Sequence, residues 1–238
     1  MHVNSLTNIG LVRKANEDNF LTDKKRGLFV VADGMGGHER GDLASSIAIK
    51  TLDSFLTLEV INTHKVNALC QAIQKANGLI FQEAQTNKSC AGMGTTITAT
   101  LFIDDQLYIG HIGDSRAYLI RDARIDLLTK DHSLVGELVR KGELTESEAY
   151  RHPHRNVLTR ALGTEPKVEV DISEYKIKTG DLLLLCTDGL YNLVNDSEIL
   201  SIIKKNNLKE SVNQLVKIAL ERGGVDNITV VLVSYDGE

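Results

Sequence analysis

Aspartates recur at the ends of apolar runs in this sequence. Leu28 to Ala32 leads into Asp33-Gly34-Met35, Leu107 to Ile112 into Gly113-Asp114-Ser115, and Leu182 to Cys186 into Thr187-Asp188-Gly189, while Asp226-Asn227 immediately precedes Ile228 to Val233. A single Asp-Gly after a strand is an ordinary turn; four such placements form a pattern. Carboxylates converging from strand ends repel one another and lose hydration, which is unfavourable unless a cation neutralises them. The candidate ligands are all oxygen: Asp33, the Gly34 carbonyl, Asp188, Asp226 and water. With no histidine or cysteine tied to those strand ends, such a set suits hard ions, Mg²⁺ or Mn²⁺, better than zinc. Two ions about 3.5 to 4 Å apart would lower the pKa of a bridging water and shield an anionic phosphate as hydroxide attacks it in line.

Arg13 then acquires a role, because a guanidinium fork matches two phosphate oxygens. Glu17 and Asp18, adjacent acids a few residues later, could accept hydrogen bonds from metal-bound water. His38 lies closest in sequence to the Asp33 turn and is a candidate to protonate a leaving alkoxide; its alternative is an exposed loop histidine. The loop Gly92-Met93-Gly94-Thr95-Thr96 suggests phosphate cradling, yet it lacks a Lys-Ser/Thr ending and leads into a strand, so nucleotide binding is discounted.

The elements that must carry these residues can be read from periodicity. Leu43 to Leu56 and Val66 to Ile80 repeat apolar residues at helical spacing, with a loop expected over 57–65. Lys24-Lys25-Arg26-Gly27 reads as a hairpin turn, Ile97 to Ile103 and Leu107 to Ile112 as strands about an Asp104-Asp105 turn, and Tyr118 to Ile120 with Ile125 to Leu128 as a further hairpin. Residues 131–163 interrupt this β-rich tract. Leu134, Val135 and Leu138 suggest a short helix stopped near Gly142, and Thr145 with Glu148 has capping-box spacing. Such an insertion is either a flap beside an active site or a structural excursion. Strands are expected at Val168 to Ile172 and Leu182 to Cys186, then helices opened by Asn195 and marked by Val212 to Ala219, then the Ile228 strand. Clustered strands with two early and two late helices outside favour a layered α+β or α/β sandwich.

The chain has 238 residues, 42% hydrophobic, with two prolines, enough for a sizeable core and best fitted by one domain spanning 1–238. A net charge of -5 with interspersed signs argues against a nucleic-acid surface. No apolar stretch approaches the roughly 20 residues of a bilayer span and no secretory signal is present, so a cytoplasmic protein with no membrane partner is expected. Three widely spaced cysteines suggest neither a disulfide framework nor a zinc site, and Cys186 reads as a core thiol. No surplus apolar stripe is evident, so a monomer is expected.

Taken together, Arg13 to Asp18 (RKANED), Val31 to His38 (VADGMGGH), Met93 to Thr96 (MGTT), His111 to Arg116 (HIGDSR), Asn156 to Gly163 (NVLTRALG), Cys186 to Leu190 (CTDGL) and Gly223 to Thr229 (GGVDNIT) resemble, in order and over nearly the whole chain, the metal-dependent serine/threonine phosphatases of the protein phosphatase 2C (PPM) family, above all its small stand-alone bacterial members. The resemblance implies a four-layer αββα sandwich of two antiparallel sheets flanked by helices, with a binuclear Mn²⁺/Mg²⁺ centre between the sheets. It matches Asp33 to the bridging ligand, Gly34 to a carbonyl ligand, Asp188 and Asp226 to the remaining protein ligands, and Asp114 with Asp188 to a third, weaker metal. It matches Arg13 to the phosphate-binding arginine, Asp18 to the water-holding acid, and residues 131–160 to a variable flap that helps choose substrates. It implies hydrolysis of phosphoserine and phosphothreonine in proteins, opposing a eukaryotic-like bacterial serine/threonine kinase. Where many eukaryotic relatives carry a histidine proposed as general acid, this chain has Met35, which leaves the proton to His38 or a metal-bound water. A catalytically silent phosphoprotein-binding module and a small-metabolite phosphatase are the alternatives on the same fold.

Overall fold

In the strand Leu28–Met35, alternate side chains go to opposite faces, and both faces are buried: Leu28, Val30 and Ala32 on one, Phe29 and Val31 on the other. A strand covered on both sides needs a layer above and a layer below. The computed structural model describes residues 1–36 and 40–237, and among these the strands form two antiparallel sheets. The first has the order β1 (His2–Asn8), β11 (Ile228–Ser234), β10 (Leu182–Cys186), β7 (Arg116–Arg121), β8 (Arg124–Leu127). The second has the order β2 (Asp18–Asp23), β3 (Leu28–Met35), β5 (Ile97–Ile103), β6 (Gln106–Ile112), β9 (Asp171–Lys176), with the short β4 (Gly94–Thr95) paired to β3.

Three apolar layers hold the sandwich together. Between the sheets lie Phe29, Val31, Leu107, Ile109, Leu183, Leu185, Val231 and Val233. Outside the second sheet, α1 (Gly41–Phe55) and α3 (Val66–Thr86) bury Ala48, Leu52, Leu69, Ile73 and Ile80 against Leu28, Val30 and Leu101. Outside the first sheet, α7 (Asp196–Lys205) and α8 (Leu208–Glu221) bury Ile199, Ile203, Leu215 and Val216 against Leu184, Val230 and Leu232. Each fully buried aliphatic side chain contributes about 1.5–3 kcal/mol, so the three layers are the main source of stability. The αββα arrangement expected from the sequence is the one found.

Local boundaries follow their caps. Asn195 and Glu198 form a reciprocal capping box that opens α7, and Thr145 and Glu148 form another that opens α5 (Glu146–Arg151). The Ser133 hydroxyl accepts from the Gly136 N–H at the start of α4 (Leu134–Arg140). The helical excursion expected after β8 is therefore present as α4 and α5. No helix among the described residues is long and apolar enough to cross a membrane.

Two expectations need correction. Residues 57–65 are not a loop: Thr57 caps α2 (Leu58–His64) and Ile61 anchors it in the core. The strand expected at Val168 to Ile172 is shifted to β9, because pairing with β6 starts at His111 opposite Asp171. His132 and Arg160 hold Asp171 on the inner side, which leaves Ile172 exposed. Asp188 also opens a short helix, α6 (Asp188–Tyr191), for which the sequence reading held no expectation.

Candidate active site

At one end of the sandwich the inner faces of the sheets change from apolar to polar. Going two residues further along each strand keeps the same face, so Val31 leads to Asp33, Phe20 to Asp18, Leu185 to Thr187, Val231 to Thr229, Ala117 to Ser115 and Ile109 to His111. The sheets deliver these groups to one place. A cavity of about 170 Å³ opens there, lined among the described residues by the carboxylates of Glu17, Asp33, Asp114, Asp188 and Asp226, by Gly34, and by the Arg13 guanidinium.

Each carboxylate is held by its own local structure. The Asp33 N–H donates to Thr96 Oγ1 at 2.9 Å, its carbonyl accepts from the Thr96 N–H and from Thr95 Oγ1, each at 2.8 Å, and Thr96 Oγ1 meets Ser115 Oγ at 2.7 Å. Gly34 is required for close approach: a Cβ there would lie 2.1 Å from the Gly41 carbonyl oxygen, so only glycine lets α1 start against the strand. Asp188 stands at the head of α6 and its Oδ2 accepts from Asn192 Nδ2 at 3.2 Å. Asp226 accepts on Oδ1 from the Asn227 N–H at 2.8 Å and on Oδ2 from Arg13 Nη2 at 2.6 Å. Asp114 follows Gly113, whose N–H donates to His132 Nδ1 at 3.1 Å and whose carbonyl accepts from the His132 N–H at 2.7 Å. His132 Nε2 reaches Asp171 at 3.2 Å, so the proton of this ring is on Nε2.

Asp18 is the most enclosed of the acids. Its Oδ2 accepts from the Thr187 and Thr229 hydroxyls at 2.8 and 2.7 Å. Burial pushes its carboxyl up to about 7 despite those hydroxyls, with Asp188 and Asp226 adding to the effect. Burial also raises Asp188 to about 7, helped by Asp226, and takes Asp33 and Asp114 well above the usual carboxylate range. The neighbours that raise Asp33 further are Asp18, Asp188, Asp114 and Asp226, and those that raise Asp114 are Asp188 and Asp131.

The arrangement fits a cation. Asp18 Oδ1 and Asp188 Oδ1 are buried without a hydrogen-bond partner, which is costly for an acceptor unless something positive meets it. Among the described residues, however, no three histidine, cysteine or acidic side chains form a ready-made ion cage; the carboxylates ring the cavity, and Arg13 reaches in to Asp226.

Of the residues expected from the sequence, Arg13, Asp33, Gly34, Asp114, Asp188 and Asp226 all line this cavity, and Asp18 stands beside Asp33 in the sheet. Glu17 also lines it, where its Oε1 accepts from the Gly41 N–H at 3.2 Å and so ties the Arg13 loop to α1. His38 lies outside the described residues. Met35 is on the cavity wall. Sequence reasoning missed Thr96, Thr187 and Thr229, which the alternation past each inner-face apolar residue could have found. It also gave no role to Asn227. That side chain donates to the carbonyls of Ile9 and Ala15 at 2.9 and 3.0 Å and accepts from the Glu17 N–H at 2.8 Å, fixing the whole Arg13 loop. A second cavity of about 590 Å³ adjoins the first, sharing Asp114, Asn156 and Asp188, and runs between α4–α5 and α6–α7. There, Tyr150 of α5 donates its hydroxyl to the Asn192 carbonyl at 3.0 Å.

Comparison with known proteins agrees with this construction. A family model described as protein phosphatase 2C matches residues 13–231. The chain is 42% identical to the serine/threonine phosphatase stp of Listeria monocytogenes, over 99% of this chain and 96% of the relative. It is 37% identical to the protein phosphatase PhpP of Streptococcus pneumoniae, over 100% and 99% of the two chains. The crystal structure of the Mycobacterium tuberculosis serine/threonine phosphatase PstP/Ppp superimposes with a TM-score of 0.93 at 37% identity, covering 99% of this chain and 98% of that one. A PstP catalytic domain in complex with two manganese ions superimposes with a TM-score of 0.88 at 35% identity, covering 98% and 97%. With these motifs, this fold and full-length similarity, the chain belongs to the protein phosphatase 2C (PPM) family and is a protein serine/threonine phosphatase.

Proposed function

We propose that Asp33, the Gly34 carbonyl, Asp188 and Asp226 hold two divalent ions, Mn²⁺ or Mg²⁺, that Asp114 with Asp188 holds a third, and that Arg13 binds the phosphate of a phosphoserine or phosphothreonine protein. The observation that carries this reading is the convergence of Asp33, Asp114, Asp188 and Asp226 from four separate stretches of chain, with the Arg13 guanidinium, on a single cavity of about 170 Å³. The two manganese ions of the related PstP domain support the choice of metal. When bound, such ions supply a water acidic enough to attack near neutral pH and offset the charge of the phosphate.

The chain's own residues do the rest. Arg13 presents two N–H groups that match two phosphate oxygens and so orient the ester. Asp18, fixed by Thr187 and Thr229 through one oxygen, keeps the other oxygen free to accept a hydrogen bond from water and aim it. His38 is this chain's candidate to protonate the leaving alkoxide, with water as the alternative donor. We place the substrates among proteins phosphorylated by a serine/threonine kinase of the same cell, since such a kinase must make the ester that this enzyme cleaves, and we place both in the cytoplasm. The test is phosphate release from phosphothreonine peptides. It should require Mn²⁺ or Mg²⁺, cease in EDTA and be lost in Asp33→Ala; release in EDTA, or an active Asp33→Ala protein, would remove the reading. A faster rate on free phosphometabolites than on peptides would instead favour the small-molecule alternative.

A further inference from the structure

Large apolar side chains exposed singly are normal on a protein surface, so several of them on the two loops that carry one site call for an explanation. Ile9 is 38% exposed, Leu11 68%, Val12 65% and Val225 49%, and they sit on the two loops that carry Arg13 and Asp226. These loops are not loose. The Leu11 N–H donates to the Gly224 carbonyl at 2.7 Å, Asn227 Nδ2 holds the Ile9 carbonyl at 2.9 Å, and the Gly10 N–H donates to Asn8 Oδ1 at 2.9 Å. Gly10 has φ +79, and a Cβ on it would lie 2.3 Å from the Asp226 carbonyl oxygen, so the crossing of the two loops is built for glycine. Leu11 lies over Gly224, within reach of where a Cβ on that residue would be, at 3.2 Å. The fold thus spends fixed backbone hydrogen bonds on keeping apolar side chains in water.

We propose that Leu11, Val12 and Val225 form an apolar shelf that receives an apolar side chain of the substrate protein close to its phosphorylated residue, and so set which phosphoproteins are preferred. The inference rests on the phosphoprotein reading above. The occupant follows from continuity with the phosphate site: Val12 directly precedes Arg13, Val225 directly precedes Asp226, and Arg13 and Asp226 are joined at 2.6 Å. An extended peptide advances about 3.3 Å per residue, so a side chain within about three positions of the phosphorylated one has the reach to meet these two loops.

The experiment is a set of phosphothreonine peptides in a serine/alanine background, with one leucine walked through the three positions on either side of the phosphothreonine, each assayed with Mn²⁺ present. For the unaltered chain, leucine at one or two positions should raise kcat/KM about tenfold over the all-polar peptide, mainly through a lower KM. In Leu11→Ser/Val12→Ser, and separately in Val225→Ser, that ratio should fall towards one, while Leu11→Met should retain it. Equal kcat/KM for all leucine positions in the unaltered chain, or a preference that survives both serine variants, overturns the shelf and leaves the phosphatase reading standing. Failure to release phosphate from any peptide overturns both.

Discussion

Asp18 and Asp33 stand directly opposite one another in the β2–β3 ladder, two carboxylates on the inner face of one sheet. Like charges at opposed positions are destabilising, and burial makes this pair worse. The fold keeps a repulsion that packing alone would remove, which is the mark of a site kept for function at a cost in stability.

Asp33→Asn should therefore separate the two properties. In EDTA the variant should melt at a higher temperature than the unaltered chain, by an amount corresponding to about 1–3 kcal/mol. With Mn²⁺ it should lose at least about 10³-fold in kcat, because the groups of such a centre act as a unit. Thermal melts in EDTA beside phosphate-release assays check both halves; a variant less stable without metal would contradict the repulsion argument.

The pH dependence has a definite sign. Asp18 and Asp188 are raised to about 7 in the folded chain, whereas an unfolded aspartate has a pKa of about 3.9. Between those values the native state binds more protons than the unfolded state, so the metal-free protein loses stability as pH rises from about 4 to about 7, and the loss is complete above that. Urea unfolding in EDTA across this range should show the decline, Asp18→Asn should make it shallower, and added Mn²⁺ should restore most stability at the alkaline end.

Arg13→Ala should lower kcat/KM for phosphopeptides about 10- to 100-fold, and Arg13→Lys should recover only part of it, since an ammonium cannot present a fork. Arg13 is half exposed and its ion pair with Asp226 is at the surface, so the change in unfolding free energy should stay within about 1 kcal/mol. Steady-state kinetics and denaturant melts on the same preparations distinguish loss of phosphate binding from loss of fold.

Asn227→Ala should behave differently. It strands the Glu17 N–H and two carbonyls that one side chain now satisfies, and should cost about 2–4 kcal/mol in urea unfolding. Amide exchange should rise over residues 9–17. Unchanged exchange there would mean that the loop does not depend on Asn227.

Much of this was legible in the sequence because the helices are amphipathic and the central strands, buried on both faces, are continuous apolar runs. Leu182–Cys186 and Ile97–Ile103 were delimited correctly by their apolar runs, and the capping boxes at Thr145 and Asn195 announced α5 and α7. The acids were visible because a carboxylate at the end of an apolar run is conspicuous. Residues acting through hydrogen bonds were not: Thr187, Thr229 and His132 look like ordinary polar residues until the sheets bring Asp18 and Gly113 to them. β9 lies further along than the apolar residues suggest, because Val168 and Val170 pack against the helix-side core ahead of the ladder, whereas a buried histidine and an arginine fix its start through Asp171.

The polar end of the inner sheet faces carries a consequence for folding. Because carboxylates and packing residues share one alternating pattern, sliding a strand past its neighbour by a single position would send Asp33 or Thr229 into the helix layers and bring Ala32 or Ile228 to the cavity. No half-aligned intermediate can be weakly active. Catalytic competence should thus emerge together with closure of the sandwich, so that recovery of activity on refolding tracks the burial of Phe29 and Val231 and has no separate later phase.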